Sequence, residues 1–333
     1  MRYLLSRLAQ GVLTLFGVSL LTFFLPKFFQ APTGLAVQVL GQRATPHAIL
    51  GFLHEYGLDR SLPVQYWHWL VAALHGNFGI SYQATATQGT PVTVNQLIGS
   101  NVWRSIWLTF VPTILSVLIA IPIGLTQAVR RNRPYDHVMT TVVYVVYSTP
   151  AVLVCLLLVY YFAIQIHVGT VSIDALAVQI SPSAFPMWAL HHLRQFILPF
   201  VGIIALSVGG LTRFMRGSAL DTLVQDHVRT ARAKGASPTR VLFKHVLRPS
   251  LIPMLTIIGL SIPSIIGGAL IVESVFNYPG MGILAVRATT VGDFTVVMAL
   301  TIYTAGLTVI GNYLADIFTA IADPRVRLGK GRN

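Results

Sequence analysis

Charge is scarce in this chain: only 10% of its 333 residues are Asp, Glu, Lys or Arg, while 54% are hydrophobic. A soluble domain carries about 25% charged residues, so an ordinary water-soluble protein is excluded and a polytopic membrane protein is indicated. Cysteine is almost missing. The single Cys155 lies within an apolar run, which excludes an intrachain disulfide and leaves the redox compartment unmarked. Acidic residues are few, 10 against 23 Lys and Arg, for a net charge of +13. In a soluble protein that surplus would suggest nucleic acid. Here the basic residues gather at the ends of apolar runs, so a lipid bilayer and not nucleic acid is the expected partner. Two enzymatic signatures are also missing. No Gly-x-x-x-x-Gly-Lys-Ser/Thr run occurs, since Leu328-Gly329-Lys330-Gly331 lacks the spacing and the hydroxyl; any nucleotide chemistry must come from elsewhere. No His-Glu-x-x-His run occurs either.

What is present is a series of apolar runs that predicts an all-α polytopic membrane protein with six transmembrane helices. The first, Leu8 to Leu25, follows a short basic start. Pro26-Lys27-Phe28-Phe29 stands where a signal peptide would carry small residues, so a retained span over 1–25 is expected. Residues 26–101 are mixed and polar, with turn signals at Gly57-Leu58-Asp59, Leu62-Pro63 and His75 to Gly79. They read as a folded extracytoplasmic segment in which Tyr66, Trp67, Trp69 and Leu70 fit an amphipathic helix on the membrane surface. The core, 102–322, holds five further spans: Trp103–Val129, about Val138–Ile166 with Pro150 in its middle, Phe196 to about Met215, Ser250–Val272, and Phe294–Ala322. A basic tail, 323–333, closes the chain. Of the 23 Lys and Arg, 17 fall on one side of this arrangement, which predicts cytoplasmic N- and C-termini. The tryptophans fall on the other side, and Trp103 and Trp107 fit an interfacial belt.

One basic stretch is built differently from an ordinary positive-inside loop. Asp226 can cap the first turn of a short helix that Gly235 can end, and Ser237-Pro238 opens a second helix up to Leu247. At helical spacing Val228, Ala231 and Gly235 share one face without bulk, on which another protein's backbone could approach closely. In the fifth span Gly259, Pro263 and Gly267 recur every four residues, a spacing that lets membrane helices pack at short range. That span is expected to line a solute pathway. Gly311, Ala315 and Thr319 share one face of the last span.

Val228-Arg229-Thr230-Ala231-Arg232-Ala233-Lys234-Gly235 resembles the coupling segment of permease subunits of ATP-binding-cassette importers, in the dipeptide and oligopeptide branch, with His227 where that branch has tyrosine. Arg229-Thr230-Ala231 stands where the wider superfamily has Glu-Ala-Ala. The stretch from Tyr56 to Gly79 is also similar to that branch. So are Glu273-x-x-Phe276-x-x-Pro279-Gly280-x-Gly282, the step Asp293-Phe294-x-Val-Val, Arg213-x-x-Arg216 and the Asp323-Pro324-Arg325 ending. The branch's Pro-Gly-Asp-Pro turn after the first span is missing; Gln30-Ala31-Pro32-Thr33-Gly34 occupies the region. The resemblance implies a type I importer permease fold in a bacterial or archaeal cytoplasmic membrane. It implies a coupling segment, 218–249, whose Asp226 to Gly235 helix sits in a groove of an ATPase, and an outer gate or binding-protein contact at Glu273, Phe276, Pro279, Gly280 and Gly282. The implied partners are a second permease subunit, two ATPase subunits or domains that hold the ATP and magnesium, and an extracytoplasmic substrate-binding protein. No cofactor is implied for this chain.

Other readings stay open on residues alone. Seven of the 10 histidines, at 47, 54, 68, 75, 167, 191 and 192, fall in expected outer segments, which suits metal capture in a nickel or haem importer but equally solvated polar side chains. A glutathione importer has the same architecture. An ion-coupled secondary transporter would place charge deep in its spans, and the middles of these six have none. A membrane enzyme would need a nucleophile and base, or ligands at helical spacing.

Overall fold

The computed structural model describes residues 2–29, 31–41, 43–167, 187 and 190–322. The tail from Asp323 and most of the expected outer loop between His167 and Gln195 lie outside the described residues. Among those described there is no strand, only an isolated bridge between Ile80 and Thr93.

The chain opens with α1 (Arg2–Phe29), apolar between the basic residues Arg2 and Arg7 at its start and Lys27 in its last turn. Three short helices follow, α2 (Pro32–Leu40), α3 (Pro46–Glu55) and α4 (Leu62–Leu74), each with a proline in its first turn after an extended residue. Proline suits that place because its missing N–H would have no helical partner there. Next come α5 (Tyr82–Gln88), α6 (Val94–Val129), α7 (Pro134–Ser148) and α8 (Ala151–Leu158), the last running into a π-helical stretch, Val159–Gln165. After the undescribed loop stand α9 (Leu193–Leu223), α10 (Asp226–Ala233) and the single turn α11 (Pro238–Arg240). A second π-helical stretch, Val241–Leu247, leads into α12 (Arg248–Gly267). The series closes with α13 (Leu270–Val275), α14 (Met281–Val291) and α15 (Phe294–Ala322).

Among the described residues five stretches are long and apolar enough to cross a membrane: Ser6–Phe28, Val94–Val129, Leu193–Leu223, Pro238–Val275 and Phe294–Ile317. A sixth exists if α7 and α8 with its π stretch form one span, but the two meet at 99°. The continuous third span expected from the sequence is therefore an elbow. Its cause is local: Thr149 precedes Pro150 and sits at φ −76°, ψ 132°, the extended conformation that the proline ring imposes on the residue before it. By contrast, α6 runs unbroken through Pro112 and Pro122.

The chain forms two compact units. The first comprises Met1–Val102 with Met281–Val309. One of its apolar cores joins Val94 and Ile98 to Met281, Ala288, Val296, Ala299 and Leu300; another gathers Ala36, Phe52 and Leu53. Here α4 lies against α1, since the Phe23 ring meets Tyr66 and Trp69 at 5.4 and 5.6 Å and the Ser19 and Tyr66 hydroxyls are 2.8 Å apart. The amphipathic helix expected on the membrane surface thus turns Tyr66 and Trp69 onto the first span, and leaves Trp67 62% exposed. Asp293 fastens the same unit: its buried carboxylate accepts the Ser81 hydroxyl at 2.6 Å and the Gln83 N–H at 3.3 Å. The second unit comprises Trp103–Gly280 with Ile310–Asn333. One core there surrounds Leu108, Cys155, Phe196, Val272, Phe276 and Tyr278, and another surrounds Leu125, Met215, Val228, Val246 and Met254.

Candidate functional site

The basic segment, the cavity, the loop from Glu273 to Gly280 and the Asp136–Arg216 pair belong to the second unit; Gly282, His54, Asp59, His68 and His75 belong to the first. The basic segment is ordered at both ends by its own backbone. α10 begins after Gln225, which takes the extended N-cap conformation without a side-chain bond. Asp226 is therefore the first helical residue and not the cap that was expected. Its side chain is 98% exposed and stands 4.0 Å from Arg229, where it favours the helix through the positive N-terminal dipole. At the other end Gly235 takes φ +76°; its N–H reaches the Arg232 carbonyl at 2.9 Å and the Ala236 N–H reaches the Ala231 carbonyl at 3.1 Å. These two bonds form a Schellman stop, which needs a left-handed residue at that point. A methyl group added to Gly235 would meet nothing within 4 Å, so conformation and not crowding calls for glycine within this chain. Ser237 then accepts the Arg240 N–H at 3.3 Å and opens α11.

Of the face without bulk, Val228 and Ala231 point inward and Gly235 stays exposed. Val228 is fully buried and Ala231 8% exposed, in a core with Leu125 and Ala128 of α6, Met215 and Ala219 of α9, Val241, Val246 and Met254. The expectation that Val228 and Ala231 meet another protein's backbone is thereby corrected: the chain covers them itself. What α10 presents outward is Asp226, Arg229, Thr230, Arg232, Ala233, Lys234 and Gly235. Further bonds hold the helix to its neighbours. The His227 ring donates to the His245 carbonyl at 3.0 Å. Buried Ser250 bridges α12 to α9, with its hydroxyl 3.1 Å from that of Thr222 and its carbonyl accepting from Ser218 at 3.0 Å.

α9 carries this platform toward a cavity of about 420 Å³ between α6, α9 and α12, with Thr109, Thr113, Ser207 and Ser261 among its walls and no charged residue lining it. α12 faces it through Ile257, Ile258, Ser261, Ser264 and Ile265. Gly259 and Pro263 face elsewhere. A methyl group on Gly259 would lie 2.7 Å from the Ala315 Cβ, and one on Gly311 would lie 2.9 Å from the Pro263 ring. The small residues of α12 and α15 therefore seat the two helices on each other, and Gly259, Pro263 and Gly267 are not among the residues lining the cavity.

The loop after α13 is built around a buried acid. Glu273 is fully buried; its carboxyl accepts the Ser105 hydroxyl at 2.9 Å and the Ala269 N–H at 3.2 Å. Its carbonyl accepts the Tyr278 N–H at 2.7 Å, and the Tyr278 hydroxyl donates to the Arg104 carbonyl at 2.7 Å. Burial, with Glu273 nearby, pushes the Tyr278 phenol well above its ordinary range. Phe276 and Gly280 are buried and Pro279 half-buried, and Gly282 is buried in the first unit. In this arrangement Glu273 and Phe276 hold the loop from beneath; Ser274 and Asn277 are its exposed residues.

Sequence reasoning missed an ion pair. Asp136, in the first turn of α7, takes both prongs of Arg216 on α9, Nε at 2.9 Å and the terminal nitrogen at 2.8 Å. An acid one turn into an apolar span was the available signal. No grouping of three or more His, Cys, Asp or Glu side chains able to hold a metal exists among the described residues. His54 pairs with Asp59 at 2.9 Å, and His68 and His75 donate to backbone carbonyls of their own helix.

Comparison with known proteins joins this geometry to a family. The model described as binding-protein-dependent transport system inner membrane component matches residues 120–328, and its N-terminal companion matches 1–117. The chain belongs to this family. Among its relatives, the oligopeptide transport system permease protein AppB of Bacillus subtilis is 36% identical over 325 residues, covering 97% of this chain and 98% of that protein. A probable peptide ABC transporter permease of Sinorhizobium fredii is 35% identical, covering 98% and 99%. The glutathione transport system permease protein GsiC of Salmonella choleraesuis is 32% identical with the same coverage. The family match and the apolar helices make this chain a multi-pass membrane component of a transport system.

Proposed function

We propose that this chain is one permease subunit of an ATP-binding-cassette importer for peptides and forms half of the pathway with a second, similar permease subunit. The observation that carries the reading is α10: a helix stopped at both ends, seated on its own apolar floor, with its charged face turned out at the end of the span that reaches the cavity. That is the construction of a part that receives force from outside the chain. Two ATPase subunits or domains, holding ATP and magnesium, dock on the exposed residues from Asp226 to Gly235. An extracytoplasmic binding protein delivers solute to the opposite face, near Glu273 to Gly282.

In this scheme both termini, the coupling segment 218–249 and the tail 323–333 lie in the cytoplasm, residues 26–101 lie outside, and the membrane is the bacterial or archaeal cytoplasmic membrane. The 17 Lys and Arg on the cytoplasmic side support that orientation. ATP binding and hydrolysis favour different arrangements of the spans, so that the pathway opens alternately to the two sides. This chain supplies no catalytic residue. The uncharged cavity wall suits a route driven mechanically and not by an ion bound in the span. Peptide cargo is favoured by the oligopeptide and peptide permeases among the relatives, and glutathione, itself a small peptide, falls within the same class.

Gly235→Val tests the coupling role. A β-branched residue at φ +76° costs about 1–2 kcal/mol locally, while the space around Gly235 leaves the body of the subunit undisturbed. In proteoliposomes holding the whole importer, the variant is expected to assemble and hydrolyse ATP but lose peptide uptake. Uptake equal to wild type would count against the role.

A further inference from the structure

The Asp136–Arg216 pair is better built than simple stability requires. The Asp136 side chain is 3% exposed and that of Arg216 29%. Beyond the two guanidinium bonds, the carboxylate accepts the Asn132 N–H at 3.1 Å and the Thr140 hydroxyl at 3.4 Å. A buried ion pair is a weak stabiliser compared with apolar residues of the same volume, because desolvation offsets the attraction. What the two-pronged arrangement does supply is a fixed geometry.

Fixed geometry matters at this position because α7 packs on α9 through Tyr144 and Tyr147, and the pair locks their register at the end nearer α10. Further along, α9 offers two glycines to one aromatic side chain: methyl groups on Gly209 and Gly210 would lie 3.0 Å from the Tyr147 Cβ and 3.5 Å from its ring. The Arg213 guanidinium of α9 also lies over the Tyr144 ring of α7 at 5.6 Å. With the ion pair in place the two helices move together. α9 joins α10 through only Val224 and Gln225, so α7 is thereby tied to α10. At the far end of the elbow, Cys155 of α8 and Val159 share a core with Val272 and Phe276.

We propose that Asp136 and Arg216 are a positioning pair that fastens α7 to α9, so that the bent α7–α8 arm carries the movement of α10 to the loop at Phe276. The proposal rests on α10 being the segment moved by the ATPase.

The test uses the complete importer in proteoliposomes with Ser274→Cys, an exposed site on α13, labelled with an environment-sensitive fluorophore; Cys155 is fully buried and stays in place. Two quantities are read: the fluorescence change on ATP binding, and peptide taken up per ATP hydrolysed. Asp136→Asn is expected to keep ATP hydrolysis while losing most of the fluorescence change and about tenfold in uptake per ATP. Arg216→Lys keeps the charge but not the two-pronged contact, and is expected to lose part of both; it decides the matter should Asp136→Asn fail to assemble. Wild-type fluorescence and coupling in Arg216→Lys, or in an assembled Asp136→Asn, would overturn the proposal. Absence of any ATP-dependent fluorescence change with the pair intact, together with wild-type uptake in Gly235→Val, would instead remove the coupling role of α10 and the proposal with it.

Discussion

Gly280→Ala isolates the role of the buried Glu273. The added methyl group would lie 2.6 Å from the Ser105 hydroxyl and against the Glu273 carboxyl, with no space to enter unless one of them moves. Moving Ser105 gives up its 2.9 Å bond to Glu273. Losing a hydrogen bond and leaving a buried polar atom unsatisfied costs about 1–3 kcal/mol, and forcing one methyl group into a packed site costs about 1–3 kcal/mol. With partial relaxation the loss is about 3 kcal/mol, roughly a hundredfold in the ratio of folded to unfolded protein. The assay is thermal melting of the purified protein in nanodiscs, followed by size-exclusion recovery. Gly217→Ala is the control, because its methyl group meets nothing within 4 Å in the interior of α9 and gains about 0.5–1 kcal/mol of helix propensity. Gly280→Ala should melt well below wild type and Gly217→Ala at or above it. A Gly280→Ala protein that melts with wild type would refute the account of the loop as held from beneath by Glu273.

Two further outcomes follow from the same packing. Gly259→Val pushes α12 off Ala315 and should lower the melting temperature through overpacking of about 1–3 kcal/mol; Ala315→Gly in the same chain should recover some of it, and no recovery would place the strain elsewhere. Val228→Asp puts a carboxylate into the core under α10 and should abolish folded subunit on size exclusion, whereas Arg232→Glu, on the exposed face, should leave the melt unchanged and lower ATP-driven uptake. Equal behaviour of the two would contradict the inward and outward assignment of α10.

Most helices, and the stop of α10, were legible because the signals for them are local, although the cap of α10 is Gln225 and not Asp226. Gly235 stops α10 and Ser237-Pro238 restarts the chain just as glycine and proline chemistry dictates. The apolar runs marked the spans for the same reason. What could not be read was which surface each face meets. The side of α10 carrying Val228 and Ala231 is apolar whether a partner or the chain's own core covers it, and only the fold shows that Met215 and Met254 do so. Gly259 and Pro263 announced a close contact, but not that Gly311 and Ala315 make it and that Ser261 faces the cavity instead. Asp136 and Arg216 stand 80 residues apart, beyond any local pattern. Pro150 was visible, yet α6 absorbs two prolines while the third span turns through 99°; the difference is that Thr149 before Pro150 is extended, whereas α6 stays helical through Pro112 and Pro122.

The most direct test of the account is chemical access to α10. Ala233 is exposed on its outward face, so Ala233→Cys in the purified permease should react quickly with a soluble maleimide. In the complete importer the same cysteine should be shielded and should form a disulfide-length cross-link to the ATPase subunit. Labelling at an unchanged rate, with the ATPase bound and active, would show that the force enters somewhere else.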